Sequence, residues 1–327
     1  MSQEDQLIET LEGRSRRREQ RRAFFTAALG AAAVGAGAFA FANPAAAQTI
    51  TDADVLNFAL NLEYLEANFY YFAAFGTAIP AASQGTSPGA ITGGARVNFT
   101  DPLVSQYARE IAADELAHVN FLRTAIGSTA VAQPALNISG SATGAFTAAA
   151  RAAGVVPADG VFDPYASDEN FLLGAFIFED VGVTAYKGAA PLIANKTFLE
   201  AAAGILAVEA YHAAIVRTTL YRKGIDTPAA GLIEATEKIS AARDALDGAP
   251  AEDATRGIAP DDDQGIASTN SINGTVSNIV PLNMNGIAYS RSTGQTLNIV
   301  YLNRAAVTMG GFFPAGVNGT IKTSAAN

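Results

Sequence analysis

The chain contains two histidines, His118 and His212, and both sit where they could bind a metal. Each stands three residues after a glutamate, in Glu115-Leu-Ala-His118 and Glu209-Ala-Tyr-His212, inside an apolar stretch with helical rhythm. Positions i and i+3 share a helix face, so each pair can aim a carboxylate and an imidazole at one point. Glu63 and Glu179 lie in two further long apolar segments. In chain order the helices then supply Glu, Glu-x-x-His, Glu and Glu-x-x-His. That is the donor set that holds two iron or two manganese ions in the core of a four-helix bundle.

A single Glu-x-x-His arises often by chance, but the flanks here repeat. Both copies share the frame E-x-x-H-x4-R-T, ending at Arg123-Thr124 and Arg217-Thr218. The other two segments also match each other: Tyr70 follows Glu63 by seven residues, and Tyr186 follows Glu179 by seven. Seven residues is close to two turns, which places each tyrosine on its glutamate's face, about 10 Å along the axis. The chain therefore reads as a duplicated helix pair with half a site per copy. The duplication favours Glu63 over Glu66 as the ligand, because Glu66 corresponds to Gly182 whereas Glu63 corresponds to Glu179. Glu66 stays as a backing residue or substitute ligand. Four buried bare carboxylates would be very costly, and two divalent cations balance them. With iron in place, each histidine serves a separate ion, Glu115 and Glu209 bridge or chelate, and Glu63 and Glu179 terminate one ion each. Tyr70 and Tyr186 back the site as hydrogen-bond or one-electron donors. Ligand type does not separate iron from manganese.

The elements that must position these residues are legible from caps and breakers. A first helix is expected over 51–75, with Thr51 and Asp54 as a capping box and Gly76 as its stop. A Gly/Pro/Ser/Thr-rich loop fills 76–100, and a second helix starts at Asp101-Pro102 and runs to about Gly127. A long connection over 128–166, with a short helix near 143–153, lets the third helix begin at the far end. That helix starts near Ser167 and stops before Pro191; the fourth opens on a capping box, Thr197 to Glu200, and runs to Gly224. Residues 228–247 read as a fifth, more charged helix packed on the bundle. After 248 the composition shifts. Asp261-Asp262-Asp263 reads as a solvated loop, Thr296 to Tyr301 as a strand, and Gly310 to Gly316 as a turn-rich apolar segment, so the tail is expected to form a small β-ribbon. The domain plan is a leader over 1–47, a bundle over 48–247 and an extension over 248–327.

The leader carries Gln20-Arg21-Arg22-Ala23-Phe24-Phe25, an Ala/Gly-rich apolar run from Ala27 to Ala42, and Ala45-Ala46-Ala47. Twin arginines, an apolar run and an Ala-x-Ala ending at Ala47 read as a signal for the twin-arginine export machinery, which carries folded proteins. The expected location is periplasmic or extracellular, and an uncleaved membrane anchor is the alternative. With no cysteine, disulfides, thiol catalysis and cysteine lipidation are excluded. A net charge of −10, with no basic patch beyond the N-terminus, argues against nucleic acid as a partner.

The segments LNFALNLEYLEANFYYFA (56–73), AADELAHVNFLRTAIG (112–127), FEDVGVTAYKGAAPLI (178–193) and AAAGILAVEAYHAAIVRTTL (201–220) resemble the ferritin-like proteins once named desiccation-associated proteins. The resemblance covers roughly residues 50–325 and includes the tail. It implies an all-α fold, a ferritin-like four-helix bundle with a long crossover between its second and third helices, an extra helix and a small β-rich tail. It also implies a metal centre, with no settled reaction. Two readings follow. One is an exported protein using O2 or peroxide at a di-iron or di-manganese centre, for redox or oxidative-stress protection. The other is a structural or desiccation-protective envelope protein in which any metal only staples the bundle. Iron storage in a large shell fits less well, because the long loops and C-terminal module obstruct close packing. A homo-oligomer is compatible with the sequence, and the substrate is not legible from it.

Overall fold

The structure, a computed structural model, describes residues 50–248, 263–272 and 274–327. The expected leader, with Arg21, Arg22 and Ala47, lies outside the described residues, as do Asp261 and Asp262.

Local chemistry at the helix ends sets the architecture. Helix α1 (Asp52–Phe75) begins at the Thr51/Asp54 capping box and ends at Gly76, where φ is 78°. That left-handed geometry suits glycine. Strand β1 (Ile91–Gly93) follows. Helix α2 (Pro102–Ile126) has Asp101 as its cap, accepting the Leu103 N–H, and proline in its first turn. Strand β2 (Leu136–Ile138) pairs parallel with β1, and the short helix α3 (Ala145–Ala152) comes next. Helix α4 (Asp168–Ala189) is capped by Ser167. Helix α5 (Lys196–Asp226) is the longest, at 31 residues. Its cap is Asn195 and not Thr197: the Asn195 side chain accepts from Thr197 N and Phe198 N, which places the expected Thr197–Glu200 box inside the first turn. Asn195 is itself held, because Asp52 accepts from the backbone N–H groups of Ala194 and Asn195 at 2.8 Å.

Hydrogen bonds and ring contacts between helix ends give the directions. Asn57, early in α1, donates to Thr129 just past α2, so α1 and α2 run antiparallel. Lys223, late in α5, bonds Glu169, early in α4, so α4 and α5 also run antiparallel. Phe69 stacks on Phe171, joining the end of α1 to the start of α4. Asp168 accepts from the backbone N–H groups of Thr100 and Asp101, so α2 and α4 start at the same end. The chain leaving α2 must therefore travel back along a helix of 25 residues, roughly 37 Å, before α4 can begin. That is the long crossover expected of a ferritin-like bundle, and it carries β2 and α3.

Helix α1 is buried on nearly all sides, including Asn57, Asn61 and Asn68. These amides are satisfied by what covers them: Asn61 donates to Asn318 O and Asn68 to Gln133 Oε1. A helix can be buried all round only when its polar groups find such partners.

The C-terminal part departs from expectation in two places. Helix α6 (Leu232–Asp247) packs on the bundle, and strands β3 (Thr269–Ser271) and β4 (Gly274–Val276) form the small antiparallel ribbon. Thr296–Tyr301, however, is not a strand. It belongs to helix α7 (Thr293–Tyr301), which starts on a capping box made by Ser292 and Gln295. A short apolar run does not distinguish strand from buried helix by periodicity; here the cap decides. Asp263 is not a solvated loop residue. It is buried and paired with Arg243 and Arg291, within an ionic network that continues to Asp180, Asp247 and Arg217.

Candidate metal centre

The four long helices bring six side chains to one point: Glu63 from α1, Glu115 and His118 from α2, Glu179 from α4, and Glu209 and His212 from α5. All six are buried. They form two overlapping groups, Glu63/Glu115/His118/Glu209 and Glu115/Glu179/His212, with the donor atoms of each group within 4.8 Å of one another. His118 Nδ1 lies 3.2 Å from Glu63 Oε2, and 3.7 Å from both Glu115 Oε2 and Glu209 Oε1. His212 Nδ1 lies 3.0 Å from Glu115 Oε1 and 3.6 Å from Glu179 Oε2. Glu115 thus turns one oxygen to each histidine, and the two rings sit 6.3 Å apart.

The tyrosines hold the flanking carboxylates crosswise. Tyr70 donates to Glu179 Oε1 and Tyr186 to Glu63 Oε1. Each tyrosine shares a helix face with the glutamate seven residues before it, yet it binds the glutamate of the other copy, because the two copies face each other across the core. The consequence is a sorting of lone pairs. Glu63 and Glu179 each keep one oxygen without a partner, while Glu115 and Glu209 keep both. With the two Nδ1 atoms, that makes eight buried atoms without hydrogen-bond partners, all in this cluster. Buried polar atoms are rarely left so. The residues present fit a pair of divalent cations, with Glu63 and Glu179 offering one oxygen each and Glu115 and Glu209 placed to bridge or chelate.

The electrostatics agree. Burial pushes Glu63 up to about 7 against the pull of His118, and Glu179 up to about 8 against the pull of His212. Burial and neighbouring carboxylates push Glu66 and Glu209 well above the carboxylate range. Burial opposes ionisation of Glu115 too, yet the two imidazoles beside it hold it below that range. Burial disfavours both imidazolium ions, but Glu63 and Glu115 raise His118 to about 11, and Glu179 and Glu115 raise His212 to about 9. Without metal the cluster keeps its balance by holding protons.

Two features escape a reading of the duplication alone. The first is Gly182. A side chain there would run into the Glu209 carboxylate, and Glu66 Oε1 lies 3.5 Å from the same point. The glycine opposite Glu66 in the repeat is thus the gap that Glu209 fills, with Glu66 packed alongside. Replacing Gly182 with alanine should displace Glu209 and weaken metal binding at least 10-fold, within the range seen when support of a ligand is lost; ions per chain, counted by mass spectrometry after dialysis, give the measure. The second is Asp114, whose Oδ2 lies 3.1 Å from His212 Nε2. Its signal in the sequence is its place directly before Glu115, which the repeat does not carry, since the second copy has Val208 there. A groove of about 530 Å³ between α2 and α5 reaches His212, with Asp114, Val208 and Tyr211 among its walls.

Comparisons with known proteins bear on the same residues. The family model described as "Ferritin-like domain" matches residues 51–222, a span that contains every residue of the cluster. The chain is 31% identical over 277 residues to the ferritin-like catalase Nec2 of Nesocodon mauritianus, covering 83% of this chain and 84% of that protein. It is 33% identical over 204 residues to the desiccation-related protein PCC13-62 of Craterostigma plantagineum, covering 60% of this chain and 62% of that protein. No solved structure matches the chain. The match across the four long helices, together with their order, directions and crossover, makes this chain a member of the ferritin-like domain family.

Proposed function

We propose that the cluster holds two iron or manganese ions and disproportionates hydrogen peroxide to O2 and water. The observation that carries this reading is the set of eight unpartnered buried donor atoms converging from four helices. Two such ions supply paired one-electron steps, which match the two-electron oxidation and reduction of peroxide without an outside reductant. The chain's own groups do the rest. Tyr70 and Tyr186 fix Glu179 and Glu63, and Glu66, with its raised affinity for protons, holds a proton beside the centre. The α2/α5 groove admits a molecule as small as peroxide. The name of the relative matched over 84% of its length points the same way. The leader would deliver the folded, loaded chain through the twin-arginine machinery to the periplasm or beyond, and the N-terminal mass of the exported protein tests that part.

The direct test is metal analysis of the purified protein beside O2 evolution from peroxide. About two iron or manganese ions per chain, and one O2 for every two peroxides consumed, are expected. A full metal load with no O2 would overturn the reaction and leave the second reading, a desiccation-protective protein stapled by metal, which the PCC13-62 similarity favours.

Loading should also release protons. At pH 7 the metal-free protein carries them on His118 (about 11), His212 (about 9) and Glu179 (about 8). Each must leave when its donor atom takes a cation, so affinity falls as pH falls. Calorimetric titration of manganese(II) in two buffers of different ionisation heat should show net proton release on loading, since Glu63 and Glu209 are raised as well; no release would contradict the cluster as the binding site.

A further inference from the structure

The duplicated site is not symmetric around its two histidines, and His212 is the one that lines the α2/α5 groove. His212 has Asp114 against its outer nitrogen, with Oδ2 at 3.1 Å from Nε2. A carboxylate only accepts, so Asp114 holds the hydrogen on Nε2, and Nδ1, on the inner side 3.0 Å from Glu115 Oε1, is the nitrogen that would give up its proton and offer its lone pair to an ion. The equivalent position in the other copy is Val208, which lines the same groove and has nothing to accept with. Among the described residues nothing accepts from Nε2 of His118, and that ring is the more exposed of the two, 8% against 2%.

We propose that Asp114 is a positioning residue that makes the two ion positions unequal, so that the ion on His212 is held more tightly and fills first. The inference rests on the two-ion reading above. Its basis is general: a carboxylate behind a ligating imidazole fixes the tautomer and the ring's orientation and strengthens the nitrogen facing the metal. The ion on His212 has that support and the ion on His118 lacks it. Asp114 is well placed to be tested, because its side chain is 43% exposed and its replacement leaves no buried gap.

The experiment is a chelator titration of the manganese(II)-loaded full chain, read as ions per chain by mass spectrometry. The wild type should lose its ions in two separate steps. In Asp114→Ala the tighter step should weaken 10- to 100-fold and merge with the other, while the melting temperature of the metal-free protein falls by no more than about 3 °C, as for loss of one half-exposed ion pair. Asp114→Asn keeps an accepting oxygen and should restore most of the separation, which a merely structural role for the side chain would not predict. Val208→Asp should tighten the weaker step. His118→Ala should retain one tightly held ion, and His212→Ala only a weak one. Two undisturbed steps in Asp114→Ala, or equal retention in the two histidine variants, would overturn the proposal. A wild type that binds no manganese(II) would overturn the two-ion reading itself.

Discussion

Replacing His118 and His212 together with alanine should abolish metal-dependent stabilisation. A ligand present at a thousand times its dissociation constant stabilises the folded state by about 4 kcal/mol. For a chain of this size that corresponds to roughly 10 °C in melting temperature. The quantity to compare is the difference between melting with metal and melting with chelator. It should be roughly 10 °C in the wild type and near zero in the double variant. Taking the difference removes the separate cost of leaving Glu115 without its two imidazole partners. The pH dependence has a definite sign. Glu63 and Glu179 are raised from 4.5 to about 7 and about 8, so the metal-free fold loses stability as pH rises across that window. His118 and His212 are raised from 6.5 to about 11 and about 9, so the stability they contribute is complete below 6.5 and is lost as pH rises through those values. Both effects weaken the metal-free protein toward alkaline pH, and the stabilisation by metal should grow over the same range. A difference that persists in the double variant would place the metal elsewhere.

The six clustered residues were readable in the sequence because residues that converge from helix faces obey a short rule. Glu115 with His118 and Glu209 with His212 fall on single faces, and the repeat singles out Glu63 and Glu179. The structure brings all six together. Caps were readable where residue type and position agree, as at Thr51, Asp101 and Ser167. They failed where two caps compete within a few residues, as at Asn195 and Thr197. What the repeat could not show is which copy a side chain crosses to. Tyr70 and Glu63 share a helix face, but the partner of Tyr70 is Glu179, 109 residues away. Asp114 was lost for a related reason: the duplication that strengthens the ligands hides whatever is present in one copy only. The C-terminal part was the least readable, since its order depends on long-range ion pairs. Asp263 looks like a loop residue until Arg243 and Arg291 are placed beside it.

Arg217 shows how that part is fastened, and its replacement is expected to have the other large effect. The two copies share this arginine in sequence, and in both it ties down a following segment. Arg123 binds Tyr64 Oη at 2.7 Å and Val131 O at 3.4 Å, both within reach of its own copy. Arg217 is fully buried and uses its donors on Asp180 and on the carbonyls of Gln264, Gly265, Asn278 and Ile279. Its guanidinium also stands over the Phe176 ring, 5.4 Å from the centroid. Arg217→Ala would leave four carbonyls short of a donor and Asp180 dependent on Arg243. Breaking a buried pair in this way costs about 3–5 kcal/mol, and melting should fall by roughly 10 °C or more. Arg217→Lys keeps the charge but loses the planar fork, so it should recover only part of the loss. Limited proteolysis should then cut within 264–279, where the carbonyls have lost their donor. The ions should stay bound at low temperature, because Glu209 and His212 keep their places on α5. Melting within a degree or two of the wild type, with 264–279 still protected, would mean that the other ion pairs hold the C-terminal segment without Arg217.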